Sequence, residues 1–148
     1  MPMSNYLRNQ IADHVFRTAT YAKPAAVYLG LFTAAPTAAG GGTEVTPTAS
    51  AYVRQNLPPL DTNWLATQGG TTGASSGTGG LTKNAVAITF PVPTADWGTV
   101  GAPITHYGIF DGLTGNLLFF GAFTASKVVL NGDQAPIVAV NGLTVTWT

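Results

Sequence analysis

The chain has 148 residues, the size of one domain, and its six Lys plus Arg balance six Asp plus Glu, so it offers no electrostatic footprint for nucleic acid or an anionic membrane. Cysteine is absent, which excludes disulfides and thiolate metal sites. Charged residues make up 8% of the chain, against roughly 25% in ordinary soluble domains; a surface kept in water by hydroxyls and amides associates with neighbours, so a homo-oligomeric assembly subunit is expected rather than a free monomer.

The first element expected is a short amphipathic helix over residues 4–18. Ser4 is a fitting N-cap, and Leu7, Ile11 and Val15 recur on one helical face. Such a helix is too short to stand alone and needs a sheet to dock on; Lys23-Pro24 stops anything helical beyond it. The stretch also lacks the apolar core of a secretory signal, and no run of about 18 apolar residues provides a membrane helix. Residues 25–33, with Val27, Tyr28, Leu29, Leu31 and Phe32 around Gly30, read as the first strand. Loop chemistry follows from Ala34 to Ser50, with Pro36, three consecutive glycines at 40–42, and Pro47. Tyr52 to Leu57 reads as a short edge strand stopped by Pro58-Pro59.

Residues 61–83 carry many glycines among threonines and serines and predict an exposed, Gly-rich excursion with only Trp64, Leu65 and Leu81 to bury. Val86, Ile88 and Phe90 alternate as the next strand. The densest stretch runs from Asp96 to Phe123: two aromatic-rich runs separated by Asp111 to Asn116, the pattern of a hairpin buried on both faces. Three more strands are expected at 127–130, 137–140 and 143–147, the last two joined by Asn141-Gly142, a strong hairpin signal. Seven or eight strands and one terminal helix make a single all-β domain over 1–148, an antiparallel β-sandwich of jelly-roll-like type with one short N-terminal α-helix.

No catalytic device emerges from the residues. Gly73-Ala74-Ser75-Ser76-Gly77 has the letters of a nucleophile elbow, but a Gly/Thr/Ser tract supplies neither the strand before it nor the helix after it. The glycine triplet lacks the Lys-Ser/Thr of a phosphate loop. His14 and His106 have no metal-ligand spacing and are expected as hydrogen-bonded structural histidines. Asp96 before Trp97-Gly98, Asp111 before Gly112 and Asp133 after Gly132 read as turn residues. No enzyme activity, cofactor or metal is expected. Trp64, Tyr52, Tyr6 and Tyr21 admit two readings, sugar-stacking aromatics or core and self-interface aromatics.

A family resemblance runs over nearly the whole length. It is carried by Ser4-Asn5-Tyr6-Leu7, His14-Val15-Phe16-Arg17, the run from Val27 to Pro36, Gly41-Gly42-Thr43-Glu44-Val45, Tyr52-Val53-Arg54-Gln55, Ile88-Thr89-Phe90-Pro91, Asp96-Trp97-Gly98-Thr99, Thr105 to Asp111, Gly115 to Ala122 and Ser126-Lys127. In this order the chain resembles small bacteriophage virion proteins labelled tail-fibre proteins, some of which are head-decoration or cement subunits. It departs from them at Pro47 to Ala51 and Pro58 to Lys83, both loops. The resemblance implies a non-enzymatic structural protein, located in the virion and assembled in the host cytoplasm, whose partners are the major capsid protein or tail proteins. Tyr6, Leu7, Glu44, Val45, Tyr52 and Arg54 are the expected partner contacts, with Glu44 and Arg54 as rare charges suited to an ion pair across an interface. Decoration of the capsid is the leading expectation; the alternative is a receptor-binding module that takes a host glycan or protein on the 61–82 loop.

Overall fold

The computed structural model describes every residue except Pro47, Gly77 to Gly79, Trp147 and Thr148. Expectations about those six, including the outward end of the last strand and the last glycine of the Ser75 tract, lie outside the described residues. The chain is all-β and antiparallel with one N-terminal helix, as expected. Its elements are α1 (Asn5–Phe16), β1 (Tyr28–Ala34), β2 (Thr43–Glu44), β3 (Gln55–Asn56), β4 (Leu81–Lys83), β5 (Ile88–Thr89), β6 (Ile104–Phe110), β7 (Leu117–Lys127), β8 (Ile137–Val138) and β9 (Thr144–Thr146).

The central sheet runs β2-β1-β6-β7, with β3 also paired to β1. In β1, Leu29 and Leu31 face the main core while Gly30 and Phe32 face the other side, and all four are buried. A strand covered on both faces reads as an unbroken apolar run, which is why its sequence does not alternate. The outer edge of β1 is shared: Phe32 and Ala34 pair with β2, whereas Tyr28 and Leu29 pair with β3. The changeover leaves the Leu31 N–H without a strand partner, and the Tyr52 hydroxyl fills the place, accepting from it at 2.8 Å.

Tyr52, Phe90 and Trp97 form the aromatic centre of the core. Tyr52 and Phe90 are stacked at 6.2 Å, and Trp97 meets their edges at 5.4 and 6.1 Å. The β6–β7 hairpin is present, but it is buried on both faces only in its inner half, since β7 is exposed at most positions from Ala122 onward. Beyond that point β7 outruns the layer that packs on it.

The edge of β7 is partly covered by the N-terminus. Met3 bridges Phe119, the Ser4 N–H donates to Leu118 O at 2.9 Å, and the Ser4 hydroxyl donates to Leu117 O. Ser4 also caps α1 by accepting from the Leu7 N–H at 3.1 Å. The helix ends at Phe16 rather than 18, and the chain then folds back so that Tyr21 N–H donates to His14 Nδ1. Of the expected apolar face, Leu7 is buried and Ile11 packs against the core, but Val15 is 58% and Phe16 84% exposed. The apolar side chains of the last turn of α1 are thus left open to solvent.

The opposing layer corrects the expected last hairpin. β8 and β9 do not pair with each other across Asn141-Gly142; β9 pairs with β4 and β8 with β5. The two ribbons are the ends of one interrupted pair, because residues 81–89 and 137–146 run antiparallel throughout. From Lys83 to Ile88 is five positions, from Thr144 back to Val138 six, so the register slips by one residue in the gap. Asn84, fully buried, fills that gap. Its Oδ1 accepts from Leu143 N–H at 2.8 Å, and its Nδ2 donates to Val86 O at 2.8 Å and Ala139 O at 2.7 Å. A side-chain amide takes the place of the missing ladder, and the turn wraps around it.

The expectation for residues 61–83 is corrected in the same region. Leu81–Lys83 are strand β4, Trp64 bridges Asn84, and Leu65 N–H donates to Lys83 O. Among the described residues of this segment, the longest largely exposed part runs from Gln68 to Ser76. The acids expected at turns are there: Asp111 accepts from Asn116 N–H, Asp133 from Leu130 N–H, and Asp96 from Asn131 N–H.

Candidate functional site

The residues expected to contact a partner fall in two places. Tyr6 and Leu7 lie on α1; Leu7 is 3% exposed in the chain's own core, and Tyr6 is half-buried beside the 111–116 turn. Burial, with the neighbouring Asp111 carboxylate adding to it, pushes the Tyr6 phenol up. Glu44, Val45, Tyr52 and Arg54 come together at the β2 edge of the central sheet, with Glu44 and Arg54 on the Phe110 side and Val45 and Tyr52 reaching into the core. Val45 and Tyr52 are each 4% exposed and belong to the core.

The two rare charges, expected to reach a partner, pair with each other within the chain. Arg54 Nε and Nη2 donate to Glu44 Oε1 and Oε2, both at 2.8 Å, and Nη1 donates to Leu113 O at 2.9 Å. The guanidinium lies 3.4 Å from the centroid of the Phe110 ring. That ring covers Gly30 and Gly108: a Cβ on Gly30 would come within 2.8 Å of Glu44 Oε1 and 3.1 Å of Phe110, so the glycine sets the floor on which the ion pair rests. A bidentate, stacked and half-buried arginine holds the hairpin turn to β2; nothing in it is arranged for chemistry.

Tyr52 completes this cluster by donating to Glu44 Oε1 at 2.9 Å while accepting from Leu31. Its hydroxyl is held far above the ordinary tyrosine range, first by burial and then by the Glu44 charge. Tyr52→Phe keeps the ring packing and orphans a buried N–H, so a loss of about 1–3 kcal/mol is expected in denaturant unfolding. Because the folded pKa is raised, this group's stabilisation is complete below the unfolded value near 10 and falls as pH rises above it. Tyr6, Tyr21 and Tyr107 are raised too, so the alkaline fall in stability should become shallower in Tyr52→Phe without vanishing; an unchanged slope would exclude Tyr52 as a contributor.

Another concavity lies where the 61–76 segment leaves the core. Leu60 and Trp64, with Val27, Ile109, Phe119 and Val145 behind them, enclose an apolar slot of about 230 Å³ at the mouth of the sandwich. Adjoining it is a polar basin of about 600 Å³ bordered by Thr67, Thr71 and Ser75. Asp61, Trp64 and Thr82 line both. Trp64 is positioned by the ribbon bridge to Asn84 and by its Nε1–H, which donates to Leu57 O at 3.3 Å. The excursion is organised by its own side chains: Thr67 Oγ1 donates to Ser76 O, Gln68 Nε2 to Ala74 O, and Gln68 Oε1 accepts from Ser76 N–H.

The Ser75 hydroxyl accepts from Thr67 N–H at 3.2 Å and has no histidine beside it, so it is a loop-closing group. His106 Nδ1 is 2.8 Å from Thr105 Oγ1. Among the described residues no three His, Asp or Glu side chains converge as metal ligands, and no helix is long and apolar enough to cross a membrane. Sequence reasoning singled out Trp64 and the loop but missed Asp61 as a site residue and Asn84 as a structural one. Neither stands in a motif, and only the ribbon pairing brings them to their places.

An all-β fold whose Glu44–Arg54 pair is satisfied internally and whose loop borders an aromatic-lined cleft fits a structural or binding subunit. The chain belongs to the family described as Gp80, podophage GP4 fiber I protein gp80, whose model matches residues 2–146. It is thus a bacteriophage structural protein of fibre type, in line with the family resemblance in its sequence. Comparison with curated proteins returns no match.

Proposed function

We propose that this chain is a non-enzymatic fibre-type virion subunit that recognises the host surface through the cleft at Asp61, Trp64 and the 66–76 excursion. The observation that carries the reading is the apolar slot, floored by core residues, opening onto a polar basin bordered by the loop. Rigid scaffolds place recognition on loops of this kind, and binding sites combine an apolar wall with a few polar groups. Membership in a fibre family supports it.

Shortening the 66–76 excursion in the phage is the direct test. Expected is a stable, incorporated protein and a loss of host adsorption of tenfold or more, a difference of about 1.4 kcal/mol per decade. Unchanged adsorption would overturn the reading.

A second reading, a capsid decoration subunit bound in many copies to the major capsid protein, is favoured by the charge-poor surface and by Val15 and Phe16 standing exposed at the end of α1. In that case binding is interface burial multiplied over a lattice. The protein would then match the major capsid protein in copy number, and adsorption would survive loss of the excursion.

A further inference from the structure

The cleft also says what kind of ligand it takes, an inference that rests on the proposed recognition role. We infer that it binds a neutral sugar ring, stacked on Trp64 with its hydroxyl groups turned to Asp61 and the basin.

A pyranose has an apolar C–H face and a rim of hydroxyls, so it needs a flat apolar wall beside hydrogen-bonding groups. Trp64 is the wall: it is shared by the slot and the basin, and its N–H is already engaged with Leu57 O, which fixes the ring orientation before any ligand arrives. A rigid aromatic gives contact area at little entropic cost. Asp61 is the hydrogen-bond acceptor. It is exposed, it lines both cavities, and among the described residues no donor pairs with its carboxylate. The hydroxyls and amides of the excursion mostly hold the loop together, so they shape the basin and leave Asp61 as the free strong group.

The charge pattern decides between sugar classes. No Lys, Arg or His among the described residues lines either cavity. A sialic acid, uronic acid or phosphorylated sugar would therefore bring its anion to a site with no counter-charge and a carboxylate already in it, whereas a hydroxyl donor to Asp61 makes a charge-assisted bond.

The test is titration of the purified chain, read by amide and indole N–H chemical shifts, with neutral oligosaccharides of glucose, galactose, mannose and N-acetylglucosamine and, in parallel, with sialyllactose and oligogalacturonate. At least one neutral member should bind with a dissociation constant of about 1 mM, as expected for one ring on one aromatic, and should shift the Trp64 indole and the Thr67 and Ser75 amides. Asp61→Asn, a change at an exposed side chain, should weaken that binding about tenfold with the folded spectrum retained. Trp64→Phe should weaken it as well; if that variant unfolds, Asp61→Asn alone decides. Binding of acidic sugars only, binding of none, or full affinity in Asp61→Asn would each overturn the inference. If adsorption depends on the excursion while no neutral sugar binds, the recognition role stands and the ligand class fails; if adsorption ignores the excursion, the recognition role itself fails.

Discussion

Asn84→Leu is expected to lower stability by about 2–4 kcal/mol, seen as a fall in the denaturant midpoint at nearly constant slope. Leucine keeps the branching of the amide but its two methyl groups are bulkier than the amide oxygen and nitrogen, so at this fully buried position overpacking adds to the loss of hydrogen bonds. Leu143 N–H is the group without an alternative: it is buried and its acceptor is Asn84 Oδ1. Ala139 O retains a second donor in Gly142 N–H, and Val86 lies near the surface, so their carbonyls lose less. Asn84→Asp should be no better, because it keeps the acceptor but turns a carboxylate toward two carbonyl oxygens in a fully buried position. A loss under about 1 kcal/mol in Asn84→Leu would mean that the two ribbons hold together without the amide between them.

Trp97→Ala should cost about 3–5 kcal/mol, the range for removing a large aromatic from a packed core. Trp97 is 3% exposed and meets both Tyr52 and Phe90 edge-on, so its removal opens the centre of the cluster. A second loss follows from its indole N–H, which donates to Ser50 O at 2.5 Å. Ser50 lies between Ala49 and Ala51, both in the left-handed region at φ 56° and 55°, where a side chain is strained. The Trp97 bond, with Thr94 Oγ1 donating to Ala49 O, holds this segment in place. Trp97→Phe, which keeps a ring but drops the N–H, should lose less than Trp97→Ala. Because Trp97 touches Tyr52, the double variant Trp97→Ala/Tyr52→Phe should depart from additivity; strict additivity in unfolding experiments would separate the aromatic cluster from the Tyr52 hydroxyl network.

What could be read from the sequence followed local chemistry. Ser4 is a cap because a hydroxyl before an apolar-periodic run satisfies a free N–H. Leu29, Leu31, Ile109, Leu118 and Phe119 are core because such density of apolar residues has nowhere else to go. Asp96, Asp111 and Asp133 are turn acceptors because short carboxylates reach nearby N–H groups. The family resemblance carried by runs along the chain implies a phage structural protein, and the family match agrees with it.

The long-range pairings followed no such local rule. Asn141-Gly142 carries a hairpin signal, yet the partners of β8 lie 48–50 residues away and those of β9 61–65, where Ile88 and Leu81 offer registers that the turn cannot. Glu44 and Arg54 look available in the sequence because their environment is invisible there; Phe110, Leu113 and Gly30, distant in the chain, make the pocket that pairs them. The same holds for the cleft. Trp64 announces itself by composition, but its orientation depends on Leu57 and Asn84, and its conjunction with Asp61 on how the excursion leaves the ribbon. By itself the sequence determined the class, a charge-poor all-β subunit with one helix, because burial and turn preference are properties of residues and their near neighbours. Only the tertiary structure decided which charges stay free and which aromatic borders a cavity, because those depend on contacts between segments far apart in the chain.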